Sequence, residues 1–89
     1  MTITMPAYSL AGVETRYLGP TNHRGSRIKA RRSEHTSGDP TVTVDYDHSL
    51  SPFENHAEAA RRLVEQYGWD GDYHAAATKR GYIFARAVR

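Results

Sequence analysis

The chain has 89 residues, a formal net charge of +2 and a 38% hydrophobic fraction, which suits a single small core and is too apolar for wholesale disorder. It has no cysteine, which excludes disulfides, thiolate zinc sites and a cysteine nucleophile and fits a reducing compartment. Residues 1–11 lack the basic and apolar regions of a signal peptide, and no run approaches the ~20 apolar residues of a membrane span, so the expectation is one domain, 1–89, in the cytoplasm, with no membrane partner.

Residues 1–11 contain Pro6 and show no sustained periodicity, which reads as a loosely ordered N-terminal arm whose Met5, Tyr8 and Leu10 would dock on the body. A first strand is predicted over 13–18. The turn at 19–25 follows, with glycines at both ends and Pro20 setting φ. A second strand covers 26–32, and the polar connection SEHTSGDP at 33–40 leads to a third over 41–46. There Val42, Val44 and Tyr46 alternate with Thr41, Thr43 and Asp45, the period of a strand with one wet side. These three strands form an antiparallel meander.

The clearest local signal is Ser51-Pro52-Phe53-Glu54, which combines an N-cap serine, proline at the first helical position and the glutamate of a capping box. One helix is predicted over 52–67, with Phe53, Ala57, Ala60, Leu63, Val64 and Tyr67 on its apolar side. Glu58/Arg62 and Arg61/Glu65 are i,i+4 pairs on the other side. Gly68 would end the helix in the left-handed conformation, and Trp69 would fold back as a core plug. Two further strands, 73–78 and 82–88, flank a three-residue hairpin loop, Lys79-Arg80-Gly81, with glycine in the left-handed position. Ala75, Ala76 and Ala77 weaken the first of these, since alanine is a poor strand former and also suits a helical turn. The order β-β-β-α-β-β describes an α+β domain, an antiparallel sheet of about five strands with one helix packed on one face.

Charge is segregated along the chain. Arg16, Arg24, Arg27, Lys29, Arg31 and Arg32 fall between residues 16 and 33 with no acid among them, whereas residues 39–72 hold eight acids against Arg61 and Arg62. On the second strand, alternation places Arg27, Lys29 and Arg31 on one face and Ile28 and Ala30 on the other. With Arg24 in the turn, and Arg80 or Arg86 close by, these four residues make a candidate binding face for phosphates or an acidic protein surface. Cations on an open strand face also protect sheets from aggregation, an ordinary role that competes with binding. Glu54, Glu58 and Glu65 mark a secondary acidic surface. Tyr17 and Tyr73 are the aromatics to consider for base stacking, although Tyr17 shares its face with Val13 and Thr15.

Chemistry is weakly signalled. The segment 19–26 looks superficially like a phosphate loop but lacks its lysine and is followed by a strand. Asp45, Asp47, His48 and His56 offer carboxylate and imidazole ligands at a spacing that matches no standard metal site. Ser51 is explained as an N-cap, not as a partner for His48. The expectation is no enzyme activity, no catalytic residues, no metal and no cofactor.

The segment YLGPTNHRGSRIKA at 17–30, with Tyr46-Asp47-His48, Asn55-His56 and Gly68-Trp69, resembles small uncharacterised proteins of bacteriophages, plasmids and other bacterial mobile elements over roughly residues 17–84. The resemblance implies a setting in the bacterial host cytoplasm and supplies no catalytic residues. Small phage proteins of this kind often act as stoichiometric inhibitors of host defence, anti-CRISPR proteins among them. The expected partner is thus a host protein or nucleoprotein complex. A non-specific RNA or single-stranded DNA binder using the basic face is the first alternative, and a metal-dependent hydrolase or nuclease at Asp45, Asp47 and His48 the second. The exposed edge beside the C-terminal strand leaves homodimerisation open.

Overall fold

The computed structural model describes residues 12–33, 38–69 and 71–86. Its elements follow the order β1 (Gly12–Leu18), β2 (Arg27–Arg32), β3 (Thr41–Asp45), α1 (Pro52–Tyr67), β4 (Tyr73–Ala77) and β5 (Gly81–Arg86). All five strands join one antiparallel sheet in the order β3-β2-β1-β5-β4. The α+β architecture with one helix is therefore as the patterning predicted. The arm at 1–11 and the end of the last expected strand, 87–88, lie outside the described residues.

The alternation in β3 carries through the sheet. Val13 and Thr15 on β1, Ile28 and Ala30 on β2, Val42 and Val44 on β3 and Phe84 on β5 turn to one side and are buried. Against them α1 lays Ala59, Ala60 and Leu63, a stripe at three- and four-residue spacing that fits the valley above β2 and β1. Leu63, Ile28 and Val13 are fully enclosed, each burial contributing about 1.5–3 kcal/mol. The helix reaches β1, β2, β3 and β5, with no contact to β4 among the described residues.

Both helix ends obey local rules. The Ser51 hydroxyl accepts from the Glu54 amide, and Glu54 Oε1 accepts from the Ser51 amide, closing the capping box. At the other end Gly68 takes φ 69°, and its amide and that of Trp69 bond back to carbonyls of the last turn. Trp69 is partly buried and stacks on Tyr67 at 4.3 Å.

Two expectations need correction, at Phe53 and Gly81, and one, the strand over 73–78, holds at Tyr73–Ala77. Phe53 is 43% exposed, because the buried stripe centres on His56, Ala59, Ala60 and Leu63; Phe53 instead leans on Tyr82 and Phe84 at ring separations of 5.2 and 6.0 Å. The alanines of β4 are in a strand, held by pairing to β5 despite their poor propensity. Gly81 is not in the left-handed turn position: positive φ occurs among the described residues only at Gly38, Gly68 and Gly71. Gly81 belongs to β5, where a Cβ would collide with the Thr15 carbonyl oxygen and lie 2.9 Å from His56 Cε1. The requirement is close approach of two strands over a helix side chain.

Two buried polar residues of α1 fix how the helix and its loop sit. Asn55 accepts from the Asp47 amide at 2.7 Å and donates to the carbonyls of Asp47 and Ser51 at 2.9 and 3.0 Å, tying down the β3–α1 loop. His56 Nδ1 lies 2.8 Å from Thr15 Oγ1, whose hydroxyl donates to the Tyr82 carbonyl at 3.3 Å. This links α1, β1 and β5 at one point, and burial pushes the imidazole pKa down.

Candidate binding face

The side of the sheet opposite α1 is built by the other half of the alternation. Register places Glu14 opposite Arg31 and Arg16 opposite Lys29 across β1 and β2, with Thr43, Thr41 and Asp45 beyond on β3. On the other flank of β1, Glu14 faces Ile83 and Arg16 faces Gly81. The β4–β5 turn rises beside this row. Thr78 bonds to Gly81 through its amide, and its hydroxyl oxygen accepts from the amides of Arg80 and Gly81 at 3.3 and 3.0 Å, leaving Lys79 and Arg80 at the tip. The Tyr17 amide donates to the Arg80 carbonyl, fixing the turn against β1.

Arg16, Lys29, Arg31, Lys79 and Arg80 thereby line one open depression of about 320 Å³, with Glu14 as its sole acid. Among the described residues none of these five cations is in an ion pair. Of the four residues marked by the sequence, Lys29 and Arg31 are in the depression. Arg27 lies further along β2 opposite Asp45, its guanidinium donating to the Gly25 carbonyl at 3.3 Å, and Arg24 is exposed in the 21–24 turn, which Thr21 closes. Arg86 alternates onto the helix side and lies near Gly71, away from this face. Arg16 and Lys79 were missed as partners of this row. The first carries a visible strand-alternation signal, whereas the second joins only through the pairing of β5 with β1.

The acidic side is differently arranged. Glu58 bonds Arg61 at 2.6 Å and Arg62 at 3.2 Å, and Arg61 also bonds Glu65; the two guanidinium groups hold the Glu58 carboxyl down at about 2. Glu54 is engaged at the helix cap. The helix acids are thus largely answered within the helix.

The residues considered for metal or catalysis are not gathered. Asp45 is exposed on the open side of β3, Asp47 accepts from the Ser49 amide and hydroxyl, His48 packs against Tyr46, and His56 is buried on Thr15. Among the described residues no three His, Cys, Asp or Glu side chains group closely enough to hold an ion. Tyr17 stands on the helix side at the end of β1, 45% exposed, with its hydroxyl on Ser26 and its ring edge-on to Tyr46. Tyr73 is also on the helix side, by its register with Arg86. No helix among the described residues is long and apolar enough to cross a membrane. No family model, no curated protein and no solved structure matches this chain.

Proposed function

We propose that this chain is a small binding protein of a phage or bacterial mobile element that acts stoichiometrically, docking through its open sheet face on a host-defence nucleoprotein complex and inhibiting it. The supporting observation is the depression in which five cations from β1, β2 and the β4–β5 turn face solvent without an ion pair among the described residues. Unneutralised charge gathered on one face steers association with a polyanion. The competing role for such cations, protection of an edge, fits poorly at β1 and β2, since both are interior strands of the sheet. Mimicry of DNA by the helix acids is disfavoured by their pairing with Arg61 and Arg62.

The test is capture from host lysate with tagged protein, together with plating of a defence-sensitive phage on cells that express it. Enrichment of a defence complex and rescue of plating are expected, and both should be lost with Arg16, Lys29 and Arg31 changed to serine. Absence of both capture and rescue by the unaltered protein would remove the proposal.

A further inference from the structure

We infer that the depression on the open face binds the phosphodiester backbone of single-stranded nucleic acid, independently of base sequence. This rests on the reading that the open face is the docking surface, and names what it docks on.

Neighbouring strands lie about 4.8 Å apart and alternate residues on one strand about 6.6 Å apart. Arg16, Lys29 and Arg31 therefore form a compact triangle, with Lys29 its shared corner. Lys79 and Arg80 enter from the side on a turn that Thr78 and the Tyr17 amide hold in place. Three of the five are arginines, whose planar forks match phosphate oxygens in bidentate geometry. Arg27 continues the row on the same face of β2, with Asp45 opposite it on β3, so the charge forms a track along β2 that Asp45 borders at its far end.

The same alternation tells against an acidic protein surface as the ligand. Protein interfaces concentrate their affinity in a few buried anchors, tryptophan, tyrosine and arginine foremost, and of these the open face presents arginine without an exposed aromatic ring beside it. Tyr17, Tyr73, Tyr82 and Phe84 all fall on the helix side by register; Tyr82 borders the depression, but its ring packs on Phe53 and His56, and Ile83 is the large exposed hydrophobic on the open side among the described residues. A face rich in cations and poor in aromatic anchors gains its binding energy from phosphate contacts and counterion release. The lack of aromatic platforms also removes base stacking, hence the indifference to sequence.

A single strand suits the shape. A volume of about 320 Å³ lies at the lower end of small-ligand sites, which accommodates one segment of a strand, and α1, the one helix among the described residues, is on the other side of the sheet. Glu14, opposite Arg31, repels phosphate on that flank and keeps the track on the Arg16–Lys29 side.

Fluorescence anisotropy with a labelled oligothymidylate and an oligouridylate of about 16 nucleotides, a duplex of equal length and poly-glutamate as competitor tests this. Both single strands should bind with similar affinity and more tightly than the duplex, with a slope of log K against log salt of roughly −2 to −3.5 for three to five neutralised phosphates. Changing Arg16, Lys29 and Arg31 together to serine should flatten that slope by about 2, at about 0.7 per lost contact, with thermal unfolding used to confirm that the variant is folded. Glu14→Gln should bind more tightly than the unaltered chain. The inference is overturned by no binding at low salt, an unchanged slope in the folded triple variant, preference for the duplex, equal competition by poly-glutamate, or weaker binding of Glu14→Gln. Capture of a defence complex that survives nuclease treatment, with no binding to bare oligonucleotide, would sink this inference and leave the inhibitor reading standing; oligonucleotide binding without capture or rescue would do the reverse.

Discussion

The outer face of the helix and the open face of the sheet both carry dense charge, yet they treat it in opposite ways. On α1, three- and four-residue spacing brings Arg61 and Arg62 onto Glu58 and Glu65, so the charges answer one another. On the sheet, cross-strand neighbours include Arg16 beside Lys29, a like-charge pair that costs stability. The difference teaches that segment charge is a poor guide to available charge. The acidic block is long and largely answered on its helical part, while the basic block gains Lys79 and Arg80 from elsewhere and stays unpaired among the described residues.

If the helix side carries stability and the open side carries binding, variants should separate the two. The largest effect belongs to Leu63→Ala, a fully buried side chain, expected to cost about 2–5 kcal/mol in denaturant unfolding. Gly81→Ala should come next at about 1–3 kcal/mol, since strands β1 and β5 must part to admit a methyl group; a neutral result would refute the close-approach account. Ser51→Ala removes the helix cap and should lower stability by about 1 kcal/mol. By contrast, Lys29→Ser should stay within about 0.5 kcal/mol of the unaltered chain, and a larger loss would show that the open face is structural after all.

The smallest effects are in pH. His56 is held below its ordinary value of 6.5, so the unfolded chain takes up the proton first. Its contribution is complete above about 6.5 and is lost as pH falls. Glu58 moves from 4.5 to about 2, so the stability from its pairing is present above 4.5 and disappears as pH falls towards 2. Thermal unfolding from neutral to acid pH should therefore show two successive declines. His56→Phe should weaken the first and Glu58→Gln the second, the latter change being slight because the pair is exposed.

Much of the fold is written in short-range pattern. Ser51 to Glu54 announces the start of α1, Gly68 its end, and Val42 and Val44 the buried face of β3, because capping and alternation act within a few residues. The row Arg27, Lys29 and Arg31 is legible for the same reason. Asn55 and His56 are harder to read: polar residues on a helix look solvent-facing until the loop carbonyls and Thr15 that satisfy them are in place. Ala75 to Ala77 have no strand preference of their own and owe their conformation to β5.

The sequence by itself determined the element order, the helix with both its caps and the sidedness of β2, since these depend on neighbours along the chain. Only the tertiary structure decided which cations share a site. That choice hangs on β5 pairing with β1 across more than sixty residues, which sets Lys79 and Arg80 beside Arg16 and Lys29. It hangs also on Gly81, whose missing side chain lets the two strands close over His56.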